Sequence, residues 1–283
     1  MTFATIRPIL VPAIVLAAAI FPVSAANSDT SAWDGDARAG VRVVAGGTKF
    51  EDGRTVLRAG VEVRLAPGWK TYWRYPGDSG VPPHFDFVKS ENVKSVQVSW
   101  PAPERMADAD GVIIGYRNKV VFPLRVEPKD ANAPVVLRLA IDYAICEKVC
   151  IPVQAKAELT IKSGGASEPA IVAAEKTVPR AQPLGADAPL SIKATHRDDA
   201  TKPAMVFVDL AAPAGIPVAV FAEGPSQDWA LPVPEKVDGA PAGLQRFAFA
   251  LDGLPPGASS KGAEIRLTAV AGEQAIETTF RLD

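Results

Sequence analysis

Apolar and polar residues alternate, with β-branched enrichment, along Val56–Leu65, Val93–Trp100, Val120–Val126, Val135–Ile145 and Val153–Ile161. A period of two sends successive side chains to opposite faces, so these segments predict half-buried strands. Turn clusters separate them. Ala66-Pro67-Gly68, Pro76–Gly80, Asp108–Gly111 and Asp130–Pro134 supply the residues that tight reversals require. Short strands, regular turns and 26 prolines favour a β-sandwich.

The pattern changes between Ser163 and Pro189. Ser167 is a candidate N-cap before Glu168-Pro169, and Ala170–Thr177 follows as a short helix that ends by Pro179. The Pro/Ala/Gly-rich piece Pro179–Ala188 reads as an exposed linker. Beyond it Leu190–Thr195, Met205–Leu210, Val218–Ala222, Arg246–Leu251, Glu264–Val270 and Ala275–Leu282 alternate again. The expected organisation is a leader at 1–25, a β-sandwich domain at 26–165, helix and linker at 166–188, and a second, smaller sandwich-like β domain at 189–283.

Arg7, an apolar run from Ile9 to Phe21 and then Pro22-Val23-Ser24-Ala25-Ala26 match the three regions of a secretory signal, with cleavage expected after Ala25. Pro8 and Pro12 interrupt the run, and it is shorter than the ~20 apolar residues of a membrane span. The formal charge is -2, with Lys and Arg scattered, so nothing resembles the basic stripe of a nucleic-acid binder. Export to the periplasm puts the two cysteines, Cys146 and Cys150, where disulfides persist.

Those cysteines sit between two alternating runs. If the chain stayed extended, four steps of ~3.3 Å would hold their Cα atoms roughly 13 Å apart, whereas a disulfide needs about 4.4–6.8 Å. A reversal at Glu147–Val149 removes the conflict, because opposed antiparallel residues lie ~4.5–5.5 Å apart. A ring of about five residues contributes only roughly 2 kcal/mol of loop entropy, which favours a reactive pair over a structural clip. Lys148 favours a thiolate and Glu147 opposes it. Zinc is the other reading of close cysteines, but only His84 and His196 are available to complete four ligands, without helpful spacing. No Gly-x-Ser-x-Gly, His-Glu-x-x-His or glycine-rich phosphate loop marks a hydrolase or a nucleotide site.

Gly68-Trp-Lys-Thr-Tyr-Trp-Arg-Tyr-Pro-Gly-Asp-Ser-Gly-Val-Pro-Pro83, Trp100–Arg105, Gly115-Tyr116 and Asp142-Tyr-Ala-Ile-Cys-Glu-Lys-Val-Cys-Ile-Pro152 together carry a resemblance over about residues 40–162. This part of the chain resembles the amino-terminal periplasmic domain of DsbD-type and ScsB-type thiol:disulfide interchange proteins. The following β domain resembles the longer ScsB-type region loosely. The resemblance implies an immunoglobulin-like domain whose cysteine pair, here Cys146 and Cys150, takes up electrons originating in the cytoplasm. It implies periplasmic thioredoxin-like or isomerase partners and no bound cofactor. By matching order Cys150 is the interchange sulfur and Cys146 the resolving one, and Pro152 next to Cys150 suits an edge strand. Tyr72 and Trp73, with the Pro76–Gly80 turn, resemble the aromatic shield of the family, ordinary sandwich packing being the alternative. The family's longer members add a multi-helix membrane domain, so a separate membrane electron donor is expected here. A non-catalytic envelope adaptor with a permanent Cys146–Cys150 clip is the competing reading.

Overall fold

The computed structural model describes Met1 and residues 29–51, 53–108, 111–162, 164 and 168–283. The expected leader, its cleavage point and the Ser167 cap lie outside the described residues. In chain order the strands are β1 (Asp34–Gly35), β2 (Ala39–Glu51), β3 (Arg54–Leu65), β4 (Lys70–Gly77), β5 (His84–Asp86), β6 (Val93–Val98), β7 (Glu104–Asp108), β8 (Gly111–Arg117), β9 (Lys119–Pro128), β10 (Val135–Cys146) and β11 (Cys150–Ile161). Helix α1 (Pro169–Thr177) follows. Then come β12 (Arg180–Ala181), β13 (Ser191–Asp198), β14 (Met205–Ala211), β15 (Val218–Glu223), β16 (Glu235–Val237), β17 (Gln245–Ala250), β18 (Glu264–Ala271) and β19 (Gln274–Arg281).

Two sheets form an immunoglobulin-like β-sandwich in the first half, ordered β1-β2-β3-β9-β6 and β11-β10-β4-β8-β7, with β5 pairing β10. The alternation explains the layering. Val61 and Val63 of β3 and Leu137, Leu139 and Ile141 of β10 point inward into one core, while Arg138 and Asp142 point away. Helix α1 lies across the outer face of the first sheet, where Ile171 is fully buried against Val44 and Val121. Its start has no side-chain cap from Glu168, so docking rather than capping holds this nine-residue helix. Arg58 bridges to Glu175, with Nε 2.7 Å from the carboxylate.

A second pair of sheets, β12-β19-β18-β15 and β13-β14-β17-β16, encloses its own core around Ile192, Val208, Phe249 and Leu267. The stretch read as linker is partly structured. Arg180–Ala181 pair in parallel with Ile276–Glu277, and the Gln182 amide donates to the Glu277 carbonyl at 2.8 Å. A two-residue strand is too short to show a period, which is why its sequence looks like a connector. The two halves also touch directly: Phe221 and Val233 belong to the same apolar cluster as Trp73 and Tyr75.

Candidate functional site

Strands β10 and β11 pair antiparallel from Val135–Ile161 to Cys146–Cys150, so the cysteines are directly opposed at the tip of the hairpin. Their Cα atoms are 4.1 Å apart and the sulfurs are bonded to each other. Glu147, Lys148 and Val149 form the connecting loop, all exposed. This is the reversal that the cysteine spacing predicts. Strand β11 is also an edge of its sheet, as Pro152 suggests.

The pair breaks the pattern that built the strand. Even-numbered residues of β10 face away from the core, and Asp142 is exposed accordingly. Ala144 and Cys146, on that same outward face, are nevertheless buried, because Tyr72, Met106 and Ile113 close over them in a small separate cluster. The two sulfurs therefore differ. Cys146 is only 6% exposed, whereas Cys150, at the edge, is exposed.

Tyr72 reaches the exposed partner. Its hydroxyl lies 3.1 Å from Cys150 Sγ, while its ring has no accessible surface. Against a disulfide sulfur the hydroxyl donates; after reduction the same donor would favour a Cys150 thiolate over the thiol. The chain leaving β4 lies over the ring. Gly80 has φ +128°, and a Cβ there would stand 2.2 Å from Tyr72 Cε1, so only glycine lets this turn approach so closely. Asp78 fastens the turn, accepting from the Val112 amide at 2.7 Å and donating its own amide to the Val112 carbonyl at 2.9 Å. Beyond Gly80, Val81 stands 60% exposed. With Tyr143, Ala144, Cys150, Pro152 and Val153 it lines a groove of about 760 Å³ beside the sulfur.

Trp73 goes elsewhere. Neighbours on a strand point to opposite faces, so Tyr72 and Trp73 cannot both cover the pair. Trp73 is fully buried on the core side, its ring 5.7 Å from Phe221 and 4.4 Å beneath the Arg74 guanidinium. Of the two aromatics expected near the pair, Tyr72 lies beside it with Met106 and Ile113, which carry no sequence signal beyond apolarity, and Trp73 lies in the core. Tyr143 is pushed up to about 12 by burial, with the Asp36 and Asp34 charges adding to the effect, so it stays protonated beside the groove. His84 is exposed in β5 and His196 stacks on Phe207 at 4.8 Å, so the two histidines stand in different halves.

The family described as "Thiol:disulfide interchange protein DsbD, N-terminal" matches residues 42–162, less than half of the chain and the part that holds the hairpin. Residues 42–162 are thus similar to a DsbD-type amino-terminal domain. No curated protein matches the chain. Among solved structures, the N-terminal periplasmic domain of ScsB from Proteus mirabilis is similar, with a TM-score of 0.68 at 21% identity, covering 90% of this chain and 98% of that one. At that identity the likeness is one of fold. It extends past residue 162 over the carboxy-terminal sheets as well.

Proposed function

We propose that the protein is a periplasmic thiol–disulfide exchange protein that passes reducing equivalents through Cys146 and Cys150 to or from partner oxidoreductases. The observation that carries this reading is the asymmetry of the pair. An exposed Cys150, with a tyrosine hydroxyl 3.1 Å from its sulfur and an open groove at its side, is bonded to a Cys146 that is almost fully buried. Access limits exchange as much as thiolate character does. A bond across one hairpin stabilises the fold by only roughly 2 kcal/mol on loop entropy, too little to explain it as a clip in a chain with so large a core.

In the reducing direction the Cys150 thiolate attacks one sulfur of a partner disulfide, forming a mixed disulfide and releasing the other partner sulfur as a thiolate, which takes up a proton. Cys146 then gives up its proton and attacks Cys150 Sγ, re-forming the Cys146–Cys150 bond and releasing the second partner thiol. Two electrons and two protons have moved to the partner. Recharging the pair needs a dithiol donor, for which a membrane-bound electron carrier is the proposed source, and thioredoxin-like or isomerase proteins are the proposed acceptors. The periplasmic setting is supported by the fold shared with a periplasmic domain; no helix among the described residues is long and apolar enough to cross a membrane.

Equilibration with glutathione buffers tests the reading. A relay should show a reduction potential above about -300 mV, and a value below that would make the bond a structural clip.

A further inference from the structure

Strand β4 is poorly held by its own sheet just beyond Tyr72. It pairs with β10 only at Lys70 and Thr71. Its ladder with β8 runs from Lys70–Arg117 to Tyr72–Gly115, breaks, and resumes at Gly77–Ile113. Residues 73–76 therefore have no ladder partner in that sheet.

The carboxy-terminal sheets hold them instead. Arg74 donates through Nε and Nη2 to the two oxygens of Glu223 at 2.8 and 2.7 Å, and Nη2 also reaches Glu277. The three side chains are 18%, 12% and 23% exposed, respectively, so this triad is largely shielded from water. Burial alone would lower the Arg74 pKa, but Glu223 and Glu277 outweigh it and the guanidinium is held as a cation. On either side, Trp73 packs on Phe221 and the Tyr75 hydroxyl donates to the Leu231 carbonyl. Two residues before Arg74, Tyr72 meets Cys150.

We infer that Arg74 is a positioning residue: clamped by Glu223 and Glu277, it fixes the unpaired stretch of β4, so that the carboxy-terminal β unit sets where the Tyr72 hydroxyl stands against Cys150. The inference rests on the reading of Cys150 as the exchange sulfur and gives the cysteine-free half of the chain a part in it.

The test is the pH profile of iodoacetamide alkylation in the Cys146→Ser variant, in which Cys150 is the only thiol. Tyr72→Phe should raise the midpoint, because the donor to the thiolate is lost. Arg74→Met should raise it in the same direction, and Tyr72→Phe with Arg74→Met together should shift it no further than Tyr72→Phe alone, the mark of two residues acting through one contact. Glu277→Gln, which leaves the Glu223 pair, should give a smaller shift and serves if Arg74→Met fails to fold. An unmoved midpoint in Arg74→Met or Tyr72→Phe, or two shifts that add, would overturn the inference. Failure of the exchange reading looks different. The midpoints would move as described while the wild-type dithiol reduced no protein disulfide.

Discussion

In the carboxy-terminal unit, Asp209 and Arg246 stand where the alternation of their strands puts polar side chains, on the face away from the core. Arg246 of β17 binds Asp209 of β14 through both oxygens at 2.7 and 2.8 Å, one cross-strand pair reinforcing one ladder. In the amino-terminal sandwich the same alternation is interrupted at one end of one hairpin, where Ala144 and Cys146 are buried on a face that should be wet. The two units are built alike. What separates them is a local exception: a covered outward face, a glycine turn lying on Tyr72, and a sulfur left at the edge. Function in such folds belongs to the exception rather than to the architecture.

The largest effect is expected where the halves share a core. Trp73→Ala and Phe221→Ala should each cost about 3–5 kcal/mol in urea unfolding followed by circular dichroism. Both should lower a single transition, whereas two independent units would show two transitions, with each variant moving one of them. Cleavage within residues 183–187, where most side chains are exposed, should leave the two pieces migrating together on gel filtration. Separate folded fragments would mean that the Trp73–Phe221 and Arg74–Glu223 contacts contribute little.

Reducing Cys146–Cys150 should matter less, lowering stability by roughly 2 kcal/mol with no loss of fold. A fall of tens of degrees in melting temperature would identify a structural bond instead. The smallest effect belongs to the carboxy-terminal pair. The hydrogen bonds from Arg246 hold the Asp209 carboxyl below its usual range, more than offsetting burial. A depressed folded pKa gives stability that is present above the ordinary Asp value and lost as pH falls through the folded one. Asp209→Asn should therefore be slightly less stable than wild type at neutral pH, and the gap should close as the buffer is acidified. A gap that persisted at low pH would assign the pair no electrostatic role.

How much of this is visible in the sequence follows from the physics of each element. Strands with one wet face, such as β11, announce themselves by alternation, and the spacing of Cys146 and Cys150 dictates the hairpin. Strand β4 does not alternate, because Tyr72 and Trp73 are buried on opposite faces, one under the glycine turn and the other in the core shared with Phe221. Strand β2 is hidden by Gly40, Gly46 and Gly47 and by the register shift between Ala45 and Thr48. Arg74 reads as one more charge among many. Its role depends on Glu223 and Glu277, about 150 and 200 residues away along the chain, and no local pattern records such a contact.

Covalent trapping reads out which sulfur meets a partner. Cys146→Ser and Cys150→Ser are expressed in the periplasm, free thiols are blocked, and the linked peptides are identified by mass spectrometry. The exposure of Cys150 and the burial of Cys146 predict that Cys146→Ser accumulates mixed disulfides through Cys150 while Cys150→Ser traps little. Equal trapping by both variants, or trapping by Cys150→Ser alone, would contradict the account.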